Sequence, residues 1–262
     1  MARCLLVWEL GANLGHVAPM RLLAQALAAR GHSVSFVARD LNSAEELLEP
    51  QLGPVLQAPL RINAGRNPVR TQVSYASLLN NSGFDEILGL AARLRAWRQL
   101  YATLKPELIF ADHSPTALLA ARTLSIPCAH FGTGFTVPPL HTPFPVFQPG
   151  AQIAPEILAR NEAAVLSNIN RALTQLQLAP LAALQEVLSH ARHWVCSYPE
   201  LDHYESPRSE PYAGAPDCTR GAVLPWPAGS GPRVLAYLRP FKDLQPVLQA
   251  LAKLPARILV RV

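Results

Sequence analysis

Residues 4–8, CLLVW, are continuously apolar, a run too short for a helix and typical of a strand covered on both faces. The period then changes. Across 17–30, Met20, Leu23, Ala24 and Leu27 recur at helical spacing, and Pro19 falls in the first turn, where its missing N–H costs little. Gly31 and His32 turn the chain into 33–39, where Val34, Phe36 and Ala38 alternate as in a second strand. The same order returns further on. An apolar strand over 108–111 ends at Asp112, Ser114 and Pro115 open a helix to about 124, and 128–131 reads as the next strand. Between the two units the pattern predicts a short helix over 42–49, a short strand over 55–58 and an exposed loop over 61–75. A long helix over 84–104 follows, lined by Ile87, Leu90, Ala91, Leu94 and Tyr101 and closed by Pro106.

Six prolines between Pro138 and Pro155 make that stretch a long, stiff loop rather than core; such loops on a rigid sheet carry ligand contacts. Residues 156–188 read as helical, broken or bent at Pro180, and 193–198 as a strand. Seven prolines from Pro199 to Pro232, with several glycines, mark a linker. Strand, helix and strand then follow at 233–238, 244–254 and 257–262. Alternating strands and helices predict an α/β fold: a Rossmann-like parallel sheet with helices on both faces, followed by an incomplete second Rossmann-like domain. The expected boundaries are 1–216 for the first domain, 217–232 for the linker and 233–262 for the beginning of a truncated second domain. One strand–helix–strand unit cannot bury a core of its own.

Composition narrows the function classes. The chain is half hydrophobic and only 16% charged, which excludes general disorder. Its net charge of +5 is scattered, with no nucleic-acid arm and no polybasic membrane patch. The excess reads as solvated surface, part of it open to a phosphate-bearing ligand. Cys4, Cys128, Cys196 and Cys218 show neither CxxC nor metal spacing, and three lie in strand-like runs, as expected of reduced thiols in a cytoplasmic protein. The first apolar run stops at Glu9, too early for a signal peptide, and no apolar segment is long enough for a transmembrane span. His113, His130, His141, His190, His193 and His203 form no metal-binding pattern, so no metal is expected.

The candidate chemistry lies at strand ends. His16 falls where the first loop becomes a helix, a position from which a neutral imidazole can act as a base. Asp112 ends another strand, and parallel strands deliver their carboxyl ends to one sheet edge, so it could accept the second ring N–H of His16. The competing use of Asp112 is to cap the helix that follows. Gly11 and Gly15 form G-x-x-x-G, not the G-x-G-x-x-G dinucleotide fingerprint, and without that pattern Asp40 reads as a turn residue rather than a ribose-binding acid. An NAD(P)-dependent oxidoreductase is therefore the weaker alternative. Phe131, Phe135, Phe144 and Phe147 border the proline-rich loop; Phe131 reads as packing and Phe135 as the wall of a ligand pocket.

The segments WELGANLGHVAPMRLLAQALAARGHSVSF, PELIFADHSPTALLAA, WVCSYPELDHY, PYAGAP and RVLAYLRPF resemble UDP-dependent glycosyltransferases of the GT-B fold, the bacterial group that includes macrolide and flavonoid glycosyltransferases. The resemblance covers nearly the whole chain, and its most specific piece is G-H-V-x-P at 15–19. It implies that His16 is the general base, oriented by Asp112, for inverting transfer of a sugar to a hydroxyl of a small-molecule acceptor. No cofactor is implied beyond the nucleotide sugar itself, a UDP-sugar, as co-substrate. Asn13, Phe84, His113, Thr133 and Phe135 are the implied acceptor contacts, and Gly15 and Arg239 the implied donor contacts. The chain departs from the family by ending before the His- and Gly-containing motif that meets the diphosphate. The 262-residue chain alone is therefore expected to be inactive, with a non-catalytic acceptor-binding remnant as the alternative. Acceptor identity, sugar and oligomeric state have no readable signature.

Overall fold

The computed structural model describes residues 1–12, 14–62, 68–147, 150–217 and 225–262. The chain divides into two units, Met1–Cys218 and Thr219–Val262. The first contains β1 (Arg3–Trp8), α1 (Val17–Ala29), β2 (Ser33–Ala38), α2 (Leu41–Leu47) and β3 (Val55–Gln57). These are followed by α3 (Tyr75–Leu79), α4 (Ile87–Leu104), β4 (Leu108–Asp112), α5 (Pro115–Arg122), β5 (Cys128–Gly132), α6 (Pro155–Gln175) and β6 (Arg192–Val195). The six strands form one parallel sheet in the order β3-β2-β1-β4-β5-β6. This is the Rossmann-like α/β arrangement that the alternation of periods predicts.

β1 is buried at every position after Arg3 because it lies mid-sheet between β2 and β4. Its side chains alternate between two cores. Leu5 and Val7 pack with Leu94, Trp97, Leu118 and Ile169 under α4, α5 and α6. Leu6 and Trp8 pack with Met20, Ala24 and Phe36 under α1. On that second face Phe110, Ala129, Phe131 and Trp194 line an apolar groove of about 460 Å³, bordered by Leu22 and Leu23 of α1.

The strand order fixes the location of the site. Sequence order runs outward in one direction from β1 and in the other from β4. The helices that follow these two strands go to opposite faces, so their loops part at the carboxyl edge and leave a crevice. Trp8 and Asp112 are direct partners across the β1–β4 ladder.

Several expectations need correction. Helix α6 stops at Gln175, before Pro180, because Gln177 turns left-handed (φ 56°) and Leu178 N–H bonds back to the Leu173 carbonyl. Only a 3₁₀ turn, Leu184–Val187, follows. Helix α4 starts at Ile87, and 80–84 forms a wide π turn instead, opened by Gly83 at φ 100°. The loop over 61–75 is not exposed at its end: Val73, Ser74 and Tyr75 are buried, and Tyr75 opens α3; residues 63–67 lie outside the described residues. The proline-rich stretch lacks regular structure yet supplies core, since Val137, Phe144 and Phe147 are buried.

The second unit comprises β7 (Arg233–Tyr237), α7 (Leu244–Ala252) and β8 (Arg257–Arg261), with the two strands parallel. No residue of α7 is fully buried, and Leu235 and Tyr237 are exposed on β7, as expected of a unit with a single packing layer. Among the described residues no helix is long and apolar enough to cross a membrane. Cys4 and Cys128 are free thiols. Burial pushes the Cys128 thiol up to about 12, which keeps it in the unreactive thiol form. Cys218 lies outside the described residues.

Candidate active site

His16 stands at the N-cap of α1, where its side chain makes no capping bond. Its Nδ1 lies 3.1 Å from Asp112 Oδ2. A carboxylate partner selects the tautomer protonated at Nδ1, which leaves Nε2 with its lone pair available as a base. Burial raises the Asp112 carboxyl above its ordinary 3.8, against the hydrogen bond and charge of His16, which lower it. Asp112 does not cap α5. That role falls to Glu9, whose Oε2 accepts from the N–H groups of Thr116 (2.9 Å) and Ala117 (3.4 Å). The Ser114 hydroxyl also forgoes the cap and donates to the Asp112 carbonyl at 2.9 Å.

The walls around His16 are close. The Trp8 indole stacks on the imidazole with ring centroids 5.4 Å apart and an interplanar angle of 18°. The indole is itself held by a 2.7 Å bond from Nε1 to the Leu10 carbonyl. On another side lies Gly11, where a Cβ would overlap His16 Nε2, and whose φ of +87° disfavours any other residue. Leu10 N–H bonds the His113 carbonyl at 3.0 Å, so the loops carrying His16 and Asp112 are joined through backbone as well.

His113 follows Asp112 in a left-handed conformation (φ 43°), unusual for a non-glycine residue. Its ring sits 6.2 Å from that of His16, 6.5 Å from Tyr75 and 6.1 Å from Phe135. Burial, with the charges of His16 and Arg39, lowers its pKa to about 3. His113 is therefore neutral, and its buried Nε2 has no hydrogen-bond partner among the described residues. Phe135 is half-buried and packs edge-on against Phe147 at 5.2 Å and beside His203 at 5.6 Å. An aromatic wall thus begins one ring away from His16.

The other sequence candidates are dispersed. Thr133 is exposed beside this wall, and its carbonyl accepts from Thr136 and Val137 N–H. Phe84 is fully buried in the main core beneath α4, so it is packing rather than a surface that an acceptor meets. Phe131, read as packing, is buried in the α1-side core. Gly15 is exposed next to His16, whereas Arg239 belongs to the second unit. Asn13 lies outside the described residues. Asp40 caps α2, accepting from Asn42 N–H at 3.1 Å and the Ser43 hydroxyl at 2.6 Å, which removes the acid from the dinucleotide reading. Among the described residues no three His, Cys, Asp or Glu side chains are grouped to hold a metal ion.

Trp8, Glu9 and Tyr75 are not legible as site residues in the sequence, and Gly11 is legible only as part of a G-x-x-x-G loop. Of the first three, Glu9 alone leaves a trace, as a charged residue ending an otherwise apolar run.

No protein-family model matches the chain, and no curated protein matches its sequence. Solved structures match throughout its length. A glycosyltransferase of kitacinnamycin is 17% identical with a TM-score of 0.61, the match covering 100% of this chain and 65% of that one. The glycosyltransferase SnogD from Streptomyces nogalater is 18% identical with a TM-score of 0.55, over 99% of this chain and 66% of that one. The glycosyltransferase SsfS6 of Streptomyces sp. SF2575, complexed with thymidine diphosphate, is 21% identical with a TM-score of 0.53, over 100% and 68% respectively. The chain spans about two thirds of the length of these structures. At such identities the likeness establishes the fold, that of GT-B glycosyltransferases.

Proposed function

We propose that this chain is the acceptor-side part of an inverting glycosyltransferase that moves a sugar from a nucleoside-diphosphate donor to a hydroxyl of a small molecule. The observation that carries the reading is the 3.1 Å pair of His16 Nδ1 and Asp112 Oδ2 at the switch point of the sheet. The acceptor hydroxyl approaches Nε2 of His16. As its oxygen attacks the anomeric carbon, the proton passes to Nε2 and the bond from that carbon to the diphosphate oxygen breaks on the opposite side, inverting the centre. The buried Asp112 carboxylate holds the ring in the reactive tautomer and compensates the imidazolium that forms. In this reading His113, Thr133 and Phe135 are the acceptor contacts and Gly15, exposed beside His16, is a donor contact. The donor nucleotide is a uridine or thymidine diphosphate sugar; the resemblance in sequence favours the first and the ligand named in one similar structure the second.

General-base catalysis contributes about 10²–10⁴ in rate. The test is sugar transfer from UDP- and TDP-sugars to hydroxylated aromatic and macrocyclic acceptors, run on the longest gene product containing this chain. His16→Ala should lower turnover by about 10³-fold. Near-normal turnover in that variant would remove His16 as the base. Titration of the 262-residue chain itself with UDP and TDP reports how much of the donor site it carries.

A further inference from the structure

We infer that Trp8 is a positioning residue for His16, holding its imidazole by stacking and stabilising the imidazolium through the indole face. This rests on the reading of His16 as the base. Trp8 is fully buried, parallel to the imidazole within 18°, and fixed in its own plane by the bond to the Leu10 carbonyl. It ends β1 on the same face as Asp112 ends β4, and the two are register partners. One register position therefore supplies both supports of the ring: a carboxylate at its edge and a π surface against its plane.

An indole face attracts a cation within about 6 Å of the ring centroid, and more strongly where water is excluded. His16 stands within that distance. The attraction is weak for a neutral imidazole and grows when Nε2 takes a proton, so it acts on the state formed during transfer rather than on the resting state. The ionisable groups facing the ring are Asp112 on β4 and the neutral His113 after it; the charges of both Arg39 at the end of β2 and His16 act on His113. Among the described residues Asp112 supplies the one opposite charge in hydrogen-bond contact with the ring. The buried carboxylate would hold an imidazolium without Trp8, but the indole keeps the proton on a ring facing the acceptor rather than one free to rotate.

The test reads His16 directly in the 262-residue chain, by proton–nitrogen correlation spectra of the imidazole groups across pH, with His16→Gln to assign the signals. In Trp8→Leu the proton affinity of His16 should fall about tenfold, with the Nδ1–H tautomer kept by Asp112. Trp8→Phe, with a weaker π face of the same orientation, should fall in between. Because Trp8 is a core residue, a second measurement leaves the packing untouched: biosynthetic replacement of tryptophan by fluorotryptophan withdraws charge from the indole face. It should lower the affinity about two- to threefold. An affinity unchanged or raised in the folded Trp8→Leu chain, or unchanged with fluorotryptophan, overturns the inference. Neither outcome depends on turnover, so absence of sugar transfer would count against the proposed function and leave this result standing.

Discussion

At the scale of single residues the site is a set of close fits around one imidazole. Gly11 illustrates how little room there is: a methyl group there would overlap His16 Nε2, and a φ of +87° is strained for alanine. Gly11→Ala should therefore cost about 1–3 kcal/mol from strain alone and displace the imidazole from Asp112. Thermal unfolding and the tautomer seen in ring-nitrogen spectra check the two effects separately; an unmoved ring would show that Nε2 has more freedom than the geometry gives it. Asp112→Asn keeps the shape but replaces the acceptor that selects the Nδ1–H tautomer. Transfer should then drop by two to four powers of ten with acceptor affinity little changed. A fall confined to KM would instead place Asp112 in binding.

Between elements, buried polar contacts hold the loops of the carboxyl edge. Glu9, at the end of β1, ties that strand to the start of α5. Burial raises its carboxyl, while the Thr116 hydrogen bonds and the Arg93 charge act against the rise. A second tie joins the loops after β5 and β6. Arg208 grips Asp202 with two bonds of 2.6 and 2.9 Å, donates to the Val137 carbonyl at 2.8 Å, and lies within 6 Å of the rings of Tyr204 and Tyr212. Tyr212 adds a 2.6 Å bond to the same carboxylate. The Arg208 and Asp202 side chains are 2% and 4% exposed, and Glu210 lies 4.0 Å from the same guanidinium, so removing Arg208 leaves buried carboxylates without their cation. Arg208→Ala should cost about 3–5 kcal/mol, roughly 10 °C in Tm for a unit of this size. Arg208→Lys, which keeps the charge but not the fork, should fall between; an unchanged Tm in Arg208→Ala would show that the loops are held by packing alone. Phe135 and His203 stand on the two loops so joined, which connects this tie to the aromatic wall of the site.

For the molecule as a whole, buried histidines couple stability to pH. His130 and His193 face each other across β5 and β6 with Nδ1 atoms 3.2 Å apart. His193 Nε2 lies 3.0 Å from the Leu188 carbonyl and so carries a proton; its Nδ1 accepts one from His130. Burial lowers both pKa values from the ordinary 6.5, that of His130 furthest, with the charge of His193 adding to it. A histidine with a lowered folded value binds its proton only when the chain unfolds, so its contribution is complete above 6.5 and is lost as pH falls below it. Glu9 and Asp112, with raised values, act in the opposite sense, losing stability as pH rises through their folded values. The histidine effect is isolated by difference: between pH 5 and 6, His130→Asn should flatten the stability profile by about 1.4 kcal/mol per pH unit, one proton's worth. Denaturant unfolding of both proteins at several pH values checks this, and parallel profiles would refute it. The chain by itself determined the order and type of most elements, because apolar spacing at two or at three to four residues is a local property that the backbone geometry of strand or helix imposes. It also determined that His16 and Asp112 stand at carboxyl ends of parallel strands. What only the tertiary structure decided is that β1 lies beside β4, which brings together side chains 96 positions apart, that Glu9 caps a distant helix, and that Tyr75 and Phe144 are core although both fall in segments that read as loops. Strand order and long-range capping answer to how all layers bury their apolar faces at once, and no short window of sequence carries that information.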